Sequence, residues 1–128
     1  MTELKDLKAD TDGLMTYDYL VNHVPDCLPE MDFLTENLLR ADSTGQFLAS
    51  SARFLSSIDS ITFATWIGRL IEGAIDKDRE RRYIGSLLEA VWGSDYKEQA
   101  EELKKTDDNF RRIYKRIYPK HSGIEVNI

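Results

Sequence analysis

Near the carboxyl end of the chain, Tyr96, Ala100, Leu103, Asp107, Phe110, Tyr114 and Ile117 follow one another at alternating steps of four and three. Such a rhythm places seven side chains on one narrow stripe of a helix, the pattern of a seam buried against another helix. Three heptads are only the lower limit for a coiled coil, and an aspartate sits in the middle, so packing on the chain's own core is the favoured reading, ahead of a different protein or a second copy. The spacing stays in phase across Thr106-Asp107-Asp108, where a break or kink is the preferred interpretation.

Upstream the same period marks further helices. Leu14, Tyr17, Leu20, Val21 and Val24 keep helical spacing until Pro25, which disfavours helix in the residue before it. Pro29 suits the first turn of a second helix, with Glu30 and Asp32 at its positive end and Met31, Leu34 and Leu38 as its stripe, ending near Asp42. Ser43, Thr44 and Gly45 form the next turn, and Phe47, Leu48, Ala52, Phe54, Leu55 and Ile58 a broad apolar face. Asp59 or Ser60 caps a fourth helix, where Phe63, Trp66, Ile67, Leu70, Ile71 and Ala74 share a sector and Ala64 and Gly68 are small enough for close approach.

Ile84, Leu87, Leu88 and Val91 lie rotated by roughly 80° from that sector on a continuous helix, so a break is expected at Asp76-Lys77-Asp78. The fifth helix then ends at Gly93, and Ser94 caps the last helical region. After Pro119, Ile124, Val126 and Ile128 alternate, a weak strand signal that suits addition to a partner's sheet or docking in its groove. No internal repeat or linker is evident. The expectation is an all-α protein: a compact single-domain helical bundle of five to seven helices over 13–118, centred on Trp66, Ile67, Leu70, Leu87, Leu88 and Val91. An acidic arm, 1–12, precedes it and a short extended tail, 119–128, follows.

Composition narrows the functional classes. A chain of 128 residues can build one core unaided, and 41% apolar with 31% interspersed charge fits a folded helical protein. The single Cys27 cannot form an internal disulfide, and the acidic start lacks the n- and h-regions of a signal peptide, which points to the cytoplasm. Ile61 to Ile75, interrupted by Arg69 and Glu72, is shorter than the ~20 residues that span a bilayer, so no membrane is expected.

The net charge of −6 conceals a gradient: residues 1–42 hold 3 basic and 10 acidic side chains, residues 111–128 hold 5 and 1. Arg111, Arg112, Lys115 and Arg116 cover the side of the last helix opposite Phe110, Ile113, Tyr114 and Ile117. They are read first as a solvated face, then as a contact for an acidic partner or, less favourably, nucleic acid, whose phosphates would have to overcome the field of an acidic body. Arg79, Arg81 and Arg82 form a second basic run at the start of the fifth helix, offset by Asp76, Asp78 and Glu80. The seam's flanks, Lys97, Lys104, Arg111 and Tyr118 against Gln99, Thr106 and Ile113, do not complement a copy of themselves, so the state expected is a monomer or weak homodimer.

Catalytic and metal readings fail on detail. Asp10-Thr11-Asp12-Gly13 resembles part of a calcium loop, but that register puts Lys8 at the first ligand position and Tyr19 at the last. His23 and Cys27 are separated by Pro25, and no second pair completes a zinc site. No nucleophile with a base and oxyanion hole, phosphate loop or G-x-S-x-G elbow is identified. The sequence therefore predicts a small non-enzymatic interaction module or regulator that binds another protein, without cofactor or metal. Its alternatives are a nucleic-acid-associated regulator and an acidic decoy of a basic-surfaced protein.

Overall fold

Three turns of the chain are built around a buried aspartate. In the computed structural model, which describes residues 2–119, Asp10 accepts hydrogen bonds at one carboxylate oxygen from the Asp12 and Gly13 amides, and at the other from the Thr16 amide and hydroxyl. Asp42 repeats the arrangement, with Thr44 and Gly45 amides on one oxygen and Phe47 and Leu48 amides on the other, all at 2.9–3.0 Å. Asp78 takes Arg82 on one oxygen and Tyr83 and Ile84 on the other. All three are 1–2% exposed. The first amides of a helix have no partner within it, and a buried turn offers no water, so a carboxylate reaching forward satisfies them and complements the dipole.

The first corner leads into α1 (Leu14–His23), the second joins α2 (Met31–Ala41) to α3 (Gln46–Asp59) and the third joins α4 (Ala64–Lys77) to α5 (Ser86–Trp92); α6 (Ala100–Thr106) and α7 (Asp108–Ile117) follow. Short 3-10 helices at Leu4–Ala9 and Leu28–Glu30 precede α1 and α2. Leu7-Lys8-Ala9-Asp10-Thr11-Asp12-Gly13 and Leu39-Arg40-Ala41-Asp42-Ser43-Thr44-Gly45 are two copies of one corner, which corrects the expectation of no internal repeat. Gly13 and Gly45 both stand at left-handed φ, +99° and +88°, where a side chain is strained. The third corner, Asp78, keeps the carboxylate geometry but runs through Arg81 at φ 57° instead of a glycine.

The helices stack in two layers. One holds α1, α3 and α5 in succession, the other α2, α4 and α7, and the α3–α4 contact is the broadest. Leu7, Leu20, Leu34, Leu38, Leu48, Leu55, Leu70, Leu87 and Phe110 are 0–1% exposed between them, each contributing ~1.5–3 kcal/mol of transfer free energy. Fully buried Leu7 anchors the amino-terminal segment, so 1–12 is no free arm where it is described. Trp66 and Val91, expected at the centre, are half-buried at its edge, and Ile58 is exposed.

Close helix approach occurs at a different glycine from the one expected. A Cβ at Gly73 would stand 2.4 Å from Leu39, whereas one at Gly68 would meet nothing within 4 Å. The break at 76–78 and the break before α7 are as predicted, Asp107 accepting from the Phe110 amide. Ser94 caps no helix; turns fill 94–99 and α6 begins at Ala100.

The cap has a measurable cost when removed. Asp42→Ala leaves several amides without acceptors and should lower unfolding free energy by about 2–4 kcal/mol in urea titration, more than a surface cap. For Asp10, burial pushes the carboxyl up, but hydrogen bonds from the Thr16 hydroxyl and the Thr16, Gly13 and Asp12 amides outweigh it and hold the pKa below the ordinary aspartate value. A lowered folded pKa stabilises fully above the unfolded value, so the stability gap between the protein and Asp10→Asn should be widest at neutral pH and shrink below about pH 4. An unchanged gap down to pH 3 would contradict the assignment.

Candidate interaction surface

The basic residues of α7 are turned largely toward the protein itself. Arg112 pairs with Asp76 at 3.0 Å, Arg116 donates to the Ile75 carbonyl at 2.7 Å, and Arg111 pairs with Asp108. Arg116 belongs to a series: Arg40 donates to the Leu7, Lys8 and Asp10 carbonyls, and Lys77 to those of Leu39 and Asp42. At each corner a cation from later in the chain neutralises the carbonyl end of one helix while an aspartate caps the start of the next. The solvated face expected of these four residues is therefore reduced to Arg111 and Lys115, which border an open cleft of about 640 Å³ with Asp108, Arg112 and Arg116.

Arg79, Arg81 and Arg82 lie in the loop between α4 and α5, a correction to their expected place in the first turn of a helix. Arg82 pairs with Glu80 at 2.8 Å and Arg81 reaches the Arg116 carbonyl at 3.5 Å. Ile124, Val126 and Ile128 lie outside the described residues.

The heptad seam closes on the chain's own core. Phe110 is fully buried, with Trp92 edge-on at 5.3 Å, and the Trp92 indole donates to Asp107 at 2.9 Å. Tyr96 and Tyr118 share a hydroxyl hydrogen bond of 2.8 Å, which together with burial pushes the Tyr96 phenol up to about 12. Lys97 and Lys104 lie over the Tyr118 and Tyr114 rings at 5.4 and 5.3 Å, a cation–π role for the flanking positions.

The acidic third divides in the same way. Asp10 and Asp42 are interior caps, while Asp32 accepts the Trp66 indole at 2.8 Å and, with Glu36, engages Arg69. Asp12 and Asp18 stay at the surface, without an ion pair among the described residues.

Asp18 borders a groove that the sequence pattern had not revealed. Leu14, Met15, Tyr19, Asn22 and His23 line it with Asp18, enclosing about 610 Å³. Around α1 buried Thr16 and Leu20 and half-buried Tyr17 occupy one side, while Leu14, Asp18, Asn22, Met15 and Tyr19 fall in a separate sector of roughly 140°. Leu14 and Met15 are 52% and 38% exposed. Apolar residues lying off the stripe are the signal that could have found this face. Among the described residues, no helix is long and apolar enough to cross a membrane, and no group of three or more His, Cys, Asp or Glu side chains could hold a metal ion.

Comparison with protein-family models, with curated proteins and with solved structures gives no match. The split within the α7 cations is directly testable. Arg116→Ala removes a charged donor from the end of α4 and should cost about 1 kcal/mol in urea unfolding after discounting for partial exposure, whereas Lys115→Ala should stay within about 0.5.

Proposed function

We propose that this protein is a non-enzymatic protein-interaction module, a cytoplasmic regulator that holds a partner on the outer face of α1. The observation that carries the reading is the exposure of Leu14 and Met15 beside half-buried Tyr19 in one groove where the stack of helices begins. Scattered exposed residues such as Ile61 are ordinary, but neighbouring apolar side chains lining one groove beside an acidic group favour a contact site. The single cysteine, Cys27, is buried with its thiol 3.9 Å from the Met31 sulfur and pushed up in pKa by burial, which supports a structural role over a nucleophilic one.

A second reading, binding of nucleic acid or another polyanion, is favoured by Arg111 and Lys115 at the open cleft on α7. The internal engagements of Arg112 and Arg116 weigh against it.

Affinity capture from the native host, followed by rebinding of the purified captured protein, separates the two. Leu14→Glu with Met15→Glu should abolish rebinding while leaving the thermal unfolding midpoint close to that of the parent, and Arg111→Glu with Lys115→Glu should leave rebinding intact. Loss confined to the α7 variant, with affinity falling steeply in salt, would transfer the function to the basic cleft.

A further inference from the structure

We infer that the α1 groove receives an amphipathic α-helix whose apolar stripe is flanked by lysine or arginine, supplied by a partner protein. This rests on the proposed function and names the chemistry of the partner. The shape of the occupant follows from the stack itself. Within the array, the residue five positions after the corner aspartate is Phe47, half-buried, with its ring 5.8 Å from Tyr17 of the preceding helix. Met15 stands at the same step after Asp10 but lies at the open end of its layer, where α1 is stacked on α3 alone. What covers this face on α3 is another helix, α1, lying alongside, so a helix is the element whose side chains match its spacing.

Charge chooses among helices. Asp18 borders the groove and Asp12 stands at its mouth beside Leu14, whose amide it accepts; neither has an ion pair among the described residues. They sit in the stretch of 3 basic and 10 acidic residues. An acidic helix would add like charges to that field, a neutral one would leave the aspartates uncompensated in a partly desolvated rim, and a cationic flank pairs with them. A second copy is disfavoured because three of the four cations on α7 already hold carboxylates or carbonyls of their own chain.

The test uses the full chain and two labelled helical peptides of about 20 residues, with leucine at positions i, i+3, i+4 and i+7 and either lysine or glutamate on both flanks. Fluorescence anisotropy should show saturable one-to-one binding of the lysine peptide, weakened at least about tenfold by Met15→Glu or by Asp18→Lys. Ile61→Glu, outside the groove, serves as the exposed-site control and should leave binding unchanged. Binding of both peptides alike, or binding of the lysine peptide that ignores Met15→Glu and Asp18→Lys, overturns the inference. So does dimerisation in light scattering that is lost with Met15→Glu, which would make the occupant a second copy. If a partner captured from the host needs Met15 but the lysine peptide does not bind, the interaction module stands and the cationic helix falls. If no partner depends on α1 while the peptide binds as expected, the functional reading falls and the groove's chemistry stands.

Discussion

A polypeptide that reverses direction inside its own core must satisfy the backbone groups freed at the bend, and here a buried carboxylate does it. Asp10, Asp42 and Asp78 each bring two acceptor oxygens to amides that have no helical partner. The same bends expose carbonyls at the end of the preceding helix, and Arg40, Lys77 and Arg116 arrive from later in the chain to meet them. Each corner therefore holds an anion at the positive end of one dipole and a cation at the negative end of another. These corners set where α1, α3 and α5 begin, and apolar packing, broadest between α3 and α4, holds the two layers together.

This arrangement changes the meaning of the charge gradient. Summed along the sequence, an acidic beginning and a basic end suggest two opposed binding poles. In the folded chain much of that charge is internal machinery: Asp10 and Asp42 are 1% exposed, and Arg112 and Arg116 are held by Asp76 and Ile75. Packing places α7, through Phe110 and Ile113, and the cations then find the carbonyls and carboxylates that packing has put within reach. What remains exposed is a smaller set, with Asp12 and Asp18 at one end and Arg111 and Lys115 at the other.

Helix content was legible because apolar spacing reports the face that each helix buries, and the break at 76–78 followed from a change of phase, whereas the stripe stays in phase across Asp107. The repeated corner was not, because its evidence lies between helices, where apolar periodicity carries no information. Asp10 and Asp42 look like ordinary turn residues until their amide partners are known, and the third copy replaces glycine with Arg81 at a positive φ, which breaks the resemblance at the residue one would search for. Gly68 and Gly73 make the same point: each fits a helix contact on spacing, but only the position of Leu39 decides between them. Of the candidate site, the basic residues were found and their inward engagement missed, since whether an arginine faces water depends on a carbonyl dozens of residues away.

A stack of helices has two ends, and each must either present polar side chains or be covered. The α6–α7 end presents Glu101, Glu102, Lys105, Arg111 and Lys115 to solvent, the composition of a sealed terminus. The α1 end presents Leu14 and Met15 in one groove with Tyr19. The two ends differ in which residues fill their outward positions. Leu14 and Met15 do not serve the core, which α1 meets through Leu20, Tyr17 and Tyr19. That exposed pair, apolar where the opposite end of the stack is charged, is the feature on which the proposed partner contact rests.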